Sequence, residues 1–377
     1  MIKNIMRDLV SELESPQTTK LGTGWLSGSL ALVLSLLSIG TVLSFRYPDL
    51  LTSPEIRQTL DVDLIRYLLH GTLIGGFIFS IVSLILRQKK ILGFFSVSLI
   101  LLAIVLGGSQ AQSVNEINSG VHLSLDWFML NLLFTGFLFL PLERLFNRIP
   151  QATLRDEWRE DLFYFFISSL LVQFLTYLSL SPSMAIVSQI NEMQFRQIVA
   201  SQPLWLQLIE IMFLTDLVQY WVHRLFHQVP FLWRFHAVHH SARKMDWLAG
   251  SRMHFVEIIC LRALTVIPMF SLGYQELAIQ IYLVIVYVYA TYIHANVRFD
   301  IEWLKPLIVT PRFHHWHHGV EKEAIDVNFS IHFPLFDRLF GTYYMPKGKW
   351  PSGYGIAGHP VPVGFIKQFL YPFNKSK

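Results

Sequence analysis

The sequence predicts an all-α fold, a polytopic membrane helical bundle with a cytoplasmic-side helical cap that carries histidine boxes. Three observations lead to this prediction. Hydrophobic residues make up 53% of the 377 residues and charged residues only 15%, against about a quarter in soluble domains. The apolar residues form uninterrupted runs of about 20, the length that spans a bilayer. Twelve of the 15 histidines fall between residues 223 and 332.

Eight apolar runs are candidate spans. The first is expected to be a retained helix, because the residues before it are polar and contain no apolar signal segment. The last two runs are separated only near Gly273, so they form either one re-entrant hairpin or two short helices. The eight runs are residues 24–45, 67–86, 91–108, 125–142, 161–181, 204–222, 255–273 and 275–293.

Positive charge predicts how the spans are oriented, since Lys and Arg collect on the cytoplasmic side of a membrane. The basic segment 87–90 is therefore placed inside, and the loop 109–124, which has no Lys or Arg, outside. This alternation puts the residues after the sixth span, and hence the histidines, on the cytoplasmic side. The net charge of +4 fits membrane flanks. No basic tract is long enough for a nucleic-acid arm, so nucleic acid is not an expected partner.

We divide the chain near residue 150. Residues 1–150 are predicted to form an N-terminal membrane region of about four spans, residues 151–346 the domain that carries the histidines, and residues 347–377 a C-terminal tail. The single cysteine, Cys260, excludes disulfides and cysteine-based metal sites within one chain. Any metal must therefore be held by His, Asp or Glu.

The histidines form three clusters with helical spacing. His223 and His227 are four residues apart, which places both imidazoles on one face of a helix. Segments 236–240 and 314–318 each contain an HxxHH pattern, and His294 ends the last apolar run. This number of imidazoles suits two metal ions better than one, and imidazole binds iron, zinc, copper or nickel. The predicted metal ligands are His223, His227, His236, His239, His240, His294, His314, His317 and His318.

Polar residues near the clusters are further candidates for the site. Asp216 and Tyr220 lie on the same helical face as His223, and a carboxylate within an apolar run is costly. We expect Asp216 to accept the second N–H of a ligand imidazole. Polar residues after the third cluster would orient ligands or cap turns. Arginines beside the clusters would contact a lipid headgroup, support a metal ligand from outside, or only anchor the cytoplasmic side. These candidates are Asp326, Asn328, Asp337, Arg224, Arg252 and Arg312.

The other histidines divide into three kinds. Some are expected to be ordinary structural residues, two are secondary candidates for the site, and one is out of register with its neighbours in the third cluster. The expected structural residues are His70, His122 and His359. The secondary candidates are His254 and His332, and the histidine out of register is His315.

The boxes resemble those of a known family. Residues 216–227 (DLVQYWVHRLFH), 231–241 (FLWRFHAVHHS) and 310–319 (TPRFHHWHHG) are similar to the histidine boxes of the fatty acid hydroxylase/sterol desaturase superfamily. Segments 326–329 and 336–343 resemble its C-terminal signature, so the similarity covers about residues 160–345. The boxes are nearest to alkylglycerol monooxygenase and bacterial sterol desaturase-like proteins, although Phe255 stands where an RxHPxE element has proline.

The resemblance implies a di-iron centre (zinc being possible in isolated protein) held by the nine histidines named above. It implies an enzyme that uses O2 to hydroxylate or desaturate a lipid or sterol-like substrate. The sequence contains no HPGG-type haem segment, so a separate electron-transfer protein is expected. Two alternatives stay open. One is a membrane-embedded di-zinc hydrolase or isomerase acting on a lipid, and the other is a metal or proton transporter, which the one-sided placement of the histidines disfavours.

Overall fold

The computed structural model describes residues 2–15, 22–53, 57, 61–113, 125–189, 193–299, 301 and 303–374. These residues form helices and connecting loops, and no β-strand occurs among them, which confirms the all-α prediction. The helices that matter below are α1 (Ile2–Glu14), α2 (Trp25–Arg46), α3 (Val62–Leu86), α4 (Ile91–Val105), α5 (Leu125–Leu145), α6 (Trp158–Leu170), α7 (Val172–Val187), α8 (Met193–Ser201), α9 (Leu204–Gln228), α10 (Pro230–His240), α11 (Phe255–Ser271), α12 (Glu276–His294), α13 (Pro311–His317), α14 (Leu335–Leu339) and α15 (Phe365–Leu370).

Five helices are long and apolar enough to cross a membrane: α2, α3, α4 with the turn after it, α5 and α12. Two bent pairs would raise the number to seven, namely α6 with α7, bent by 59°, and α8 with α9, bent by 115°. The run 161–181 was expected to be one continuous helix, but a turn at Leu171 interrupts it between α6 and α7. The chain therefore carries several helices of membrane-spanning length, as a multi-pass membrane protein requires.

The last two apolar runs form two helices, α11 and α12, with a break between them at the expected position near Gly273. Gly273 lies between them with φ +80°, a left-handed conformation that favours glycine. A Cβ at this position would also lie 2.6 Å from the Cβ of Arg196. At 17 residues, α11 is shorter than the five long apolar helices.

Backbone contacts divide the chain into two compact units, Met1–Asp156 with Phe166–Val172 and Glu157–Phe165 with Gln173–Lys377. In the first unit, α2, α3 and α4 pack closely through small residues, as helices in membranes do. A Cβ on Gly76 of α3 would lie 2.8 Å from the side chain of Ile100 on α4. Ser38 and Thr72 join α2 and α3 through a hydroxyl hydrogen bond of 3.0 Å.

In the second unit, α9, α11 and α12 share an apolar core that includes Ile211, Val266 and Tyr282. The starts of the two short histidine helices have recognisable local causes. Pro230 occupies the first turn of α10, where its missing N–H has no cost. The Thr310 hydroxyl accepts a 3.4 Å hydrogen bond from the Phe313 N–H and caps α13. These helix starts set the register of the second and third histidine clusters.

Candidate metal centre

Four helices of the second unit bring the clustered histidines together. The first two lie one turn apart at the end of α9, three lie on α10, one is the last residue of α12, and three lie on or just after α13. Their ligand nitrogens fall into two groups, and within each group all of them lie within 4.8 Å of one another. Group A comprises His223, His227, His236, His240 and His317, and group B comprises His239, His294, His314 and His318. Together the groups contain the nine histidines predicted from spacing.

The Nε2 atoms of each group face one another. In group A, the Nε2 atom of His240 lies 3.0 Å from that of His236, 3.0 Å from that of His317 and 3.2 Å from that of His227. In group B, the Nε2 atom of His294 lies 3.2 Å from that of His239 and 3.0 Å from that of His314. The groups are adjacent, since the rings of His240 and His318 stack with centroids 4.3 Å apart.

Backbone carbonyls determine which ring nitrogen carries the proton. The Nδ1–H of His223 donates to Phe329 O at 2.8 Å, and that of His317 donates to Val327 O at 2.7 Å. His239 and His294 donate in the same way to Arg252 O at 3.1 Å and to Ala290 O at 2.7 Å. A carbonyl oxygen can only accept, so the proton of each neutral ring is on Nδ1 and its Nε2 presents a lone pair.

This tautomer pattern indicates whether the histidine nitrogens are suited to bind a metal ion. Lone pairs that face each other at about 3 Å without a proton between them repel, and a cation among them removes the repulsion. Burial lowers the pKa of the six histidines on α10 and around α13 well below the ordinary value, which keeps the rings neutral, the form that binds metal. The donor set therefore fits one cation in each group.

Two carboxylates contact the imidazoles of group A from outside. The Nδ1–H of His236 donates to Glu257 Oε1 at 2.6 Å, and that of His227 donates to Asp326 Oδ1 at 3.2 Å. Such partners fix the ring orientation and raise the basicity of the ligand nitrogen. Asp326 was among the candidates. Glu257 was not, although a buried glutamate in the first turn of the apolar helix α11 was a signal that could have identified it.

Asp216 differs from its expected role. Its two oxygens accept hydrogen bonds from the backbone N–H groups of Ile331 at 2.8 Å and Phe333 at 2.7 Å, and none of its hydrogen bonds among the described residues is to an imidazole. The expected contact with a ligand ring is therefore wrong. The helical spacing predicted the face of α9 on which Asp216 lies. It did not predict that the loop containing Ile331 and Phe333 packs against this face and occupies both carboxylate oxygens.

Asn328 and Asp337 brace the segment that supplies two of the carbonyls. Asn328 has φ +58° and donates from Nδ2 to Phe313 O at 2.9 Å and Tyr344 O at 2.7 Å. Asp337 accepts from the N–H groups of Phe329 at 2.7 Å and Ser330 at 2.9 Å. Both side chains therefore act on the imidazoles indirectly, because they hold in place the loop whose carbonyls orient the rings of His223 and His317.

Tyr220 and Arg224 form their hydrogen bonds with groups other than the ring nitrogens. The Tyr220 hydroxyl lies 2.9 Å from Thr342 Oγ1 and accepts from Arg224 Nη1 at 3.0 Å. Of the alternatives for Arg252, headgroup contact does not fit, because its side chain is 1% exposed and forms ion pairs with Asp161 and Glu157. The backbone carbonyl of Arg252 accepts the hydrogen bond from the Nδ1–H of His239.

The remaining histidines lie outside both groups. The Nδ1 of His315 lies 2.8 Å from the Tyr354 hydroxyl and its Nε2 lies 3.2 Å from His294 O, so its ring faces away from the two groups. His254 caps the N-terminus of α11. His332 contacts the Tyr282 hydroxyl at 3.4 Å, and His70 contacts Ser109 at 3.0 Å. The prediction for His122 concerns a position outside the described residues.

The fold and the site define a class: helical proteins with membrane-length helices and a buried centre of nine imidazoles. Comparison with known proteins agrees with this class. Residues 208–342 match the family model for fatty acid hydroxylase. Residues 208–342 are therefore similar to fatty acid hydroxylases, which confirms the predicted resemblance and is consistent with the fatty acid hydroxylase/sterol desaturase superfamily.

Two curated relatives illustrate the similarity. The ornithine lipid hydroxylase OlsE of Rhizobium tropici is 30% identical over 175 residues, which cover 46% of this chain and 52% of that protein. The alkylglycerol monooxygenase of Xenopus tropicalis is 28% identical over 147 residues, 39% of this chain and 32% of that protein. The chain thus spans about half or less of the length of the curated relatives it matches. No solved structure matches significantly.

Proposed function

We propose that this protein is an O2-dependent lipid oxidoreductase that uses two iron ions to hydroxylate or desaturate a lipid-like substrate. The observation that carries the proposal is the arrangement of nine imidazoles in two adjacent groups with their Nε2 atoms facing inward. The names of the relatives support a lipid substrate, because one is a hydroxylase of ornithine lipids and the other a monooxygenase of alkylglycerols.

Bound iron would supply oxidation of an unactivated C–H bond by O2, chemistry that acid–base side chains alone do not provide. The protein's own residues have three tasks. The carbonyls of Phe329 and Val327 hold the ring tautomers, and Glu257 and Asp326 orient two rings from outside. Burial of the site excludes water, which protects a reactive oxidant from side reactions.

The placement of the ligands suggests how a lipid reaches them. His227 lies at the C-terminal end of α9 and His294 at that of α12, and both helices are apolar over most of their length. A lipid chain in the bilayer would therefore lie beside helices that end at the metal groups. We place this end on the cytoplasmic side, because the segments that follow α9 are rich in arginine. We also propose that a separate protein delivers the electrons.

A di-zinc hydrolase or isomerase is the second candidate. The observation that favours it is the donor set itself, since all nine predicted ligands are imidazoles and imidazole holds zinc as readily as iron. The two candidates differ in the metal retained and in whether O2 is consumed.

The experiment that decides between them combines metal analysis with lipid analysis. The purified full chain is analysed for metal, and membranes that contain it are incubated with a reducing system under 18O2. We expect two iron ions per chain, and either labelled oxygen in one lipid class or a lipid lighter by two hydrogens. Zinc in the protein without O2 uptake would support the alternative and overturn the proposal. His359→Ala, a change at an exposed histidine, is the control and should retain the metal and the product.

A further inference from the structure

A recess on the second unit is lined mainly by cations, and none of the nine histidines is among its lining residues. Its volume is about 220 Å³, and its walls include Lys305, Arg312, Arg338, Lys347 and Tyr343. The described residues that line it include no carboxylate. Four positive side chains around one small recess favour a ligand with negative charge.

The cations of this basic recess lie at two depths. Lys305 and Arg312 are only 6% and 2% exposed, whereas Arg338 and Lys347 are exposed. Lys305 and Arg312 have other partners in the protein, and their positive charge adds to that of the whole lining. The Arg338 guanidinium lies 4.3 Å from the ring centroid of Tyr343, which restricts its orientation. A guanidinium held in this way presents paired N–H donors, the geometry that matches phosphate oxygens.

Exposed apolar side chains flank the recess on the segment that contributes Lys305. Trp303 is 70% exposed, Leu307 59% and Ile301 46%. Water does not favour this much exposed apolar surface in one short stretch, but the interfacial zone of a membrane does, and tryptophan is enriched there. Basic pockets beside membrane helices bind the headgroups of anionic lipids.

We propose that the basic recess binds the phosphate group of an anionic membrane lipid, with Ile301 and residues 303–307 lying in the interfacial zone of the same leaflet. The cations meet the phosphate, and Trp303 and Leu307 contact the acyl region next to it. A free phosphate ion shares the oxyanion chemistry, but it would leave the apolar flank without a role. The proposal uses neither the histidines nor any metal, so it stands independently of the proposed oxidation.

The test measures lipid binding to the purified full chain in neutral detergent by native mass spectrometry. Short-chain phosphatidic acid, phosphatidylcholine and inorganic phosphate are titrated separately. The variant reverses the two exposed cations, Arg338→Glu with Lys347→Glu. The matched control, Lys322→Glu with Lys367→Glu, makes the same change of net charge at exposed lysines elsewhere on the unit. A milder pair, Arg338→Gln with Lys347→Gln, replaces the variant if the reversal impairs folding.

We expect the variant to bind phosphatidic acid about tenfold or more weakly and the control to bind it as the parent protein does. Phosphatidylcholine should bind weakly to all of them. Equal binding by variant and parent, or equal weakening in variant and control, would overturn the recess as the site. Inorganic phosphate that binds as tightly as phosphatidic acid would overturn the assignment to a lipid.

Discussion

Glu257 holds His236 by a hydrogen bond of 2.6 Å between Oε1 and the Nδ1–H, although 21 residues separate them. Both side chains are almost fully buried, at 2% exposure each. Through this contact, the first turn of α11 controls the orientation of a ring on α10. The carboxylate therefore supports the candidate metal centre from outside, although it does not itself face the space between the imidazoles.

Glu257→Gln should weaken metal binding without unfolding the protein. The amide has the size of the carboxylate and can accept the hydrogen bond from the His236 N–H. It lacks the negative charge that makes Nε2 of the ring a stronger metal ligand. Loss of such outer partners typically lowers metal affinity by about 10–100-fold. Chelator competition on purified protein measures the change, and Glu323→Gln, at an exposed glutamate, is the control. Unchanged affinity would mean that Glu257 only fills space.

His239→Ala and His317→Ala each remove one ring nitrogen, the first from group B and the second from group A. We expect both variants to insert into membranes normally and to lose lipid oxidation completely, since the reaction needs both groups. Iron content should fall in each variant. Membrane fractionation, metal analysis and product analysis check these three outcomes. Full activity in either variant would contradict the two-group assignment.

The histidine clusters could be predicted from sequence because helical spacing is a local property. Residues three and four apart share a face, and nothing further along the chain alters that. The long apolar helices were predictable for the same reason. The interruption at Leu171, which divides one expected span in two, was not, because the residues around it remain apolar on both sides.

The outer partners of the imidazoles were harder to predict because they are distant in sequence. The carbonyls of Phe329 and Val327 receive protons from His223 and His317, and every residue has a carbonyl, so no residue type indicates this role. Asp216 was correctly singled out as a buried carboxylate. Its hydrogen-bond partners could not be predicted, because they lie more than 100 residues further along the chain.

Asp337→Ala should destabilise the protein and also weaken metal binding. The carboxylate accepts hydrogen bonds from the N–H groups of Phe329 and Ser330 and from the Thr342 hydroxyl, and all three would lose a buried partner. The cost is about 3 kcal/mol or more, since one unsatisfied buried group costs about 1–3 kcal/mol. Thermal unfolding in detergent measures the stability.

Asp337→Asn keeps one acceptor oxygen, so its loss of stability should be smaller than that of Asp337→Ala. Asp156→Ala, at an exposed aspartate, is the control and should unfold at the temperature of the parent protein. If Asp337→Ala were as stable as this control, the loop that carries the Phe329 carbonyl would not depend on Asp337. Its proposed role in orienting His223 would then be wrong.

His315→Gln and His317→Gln make the same chemical change two residues apart on α13 but should give opposite results. His315 bridges the Tyr354 hydroxyl and the carbonyl of His294, contacts that an amide can partly replace. We therefore expect His315→Gln to lower thermal stability by about 1 kcal/mol per lost hydrogen bond and to keep its metal. His317→Gln removes a nitrogen of group A and should lose metal. Metal analysis of the two purified variants, compared at equal amounts of folded protein, gives the answer. Equal loss of metal from both would show that the centre depends on the integrity of α13 and not on which rings face inward.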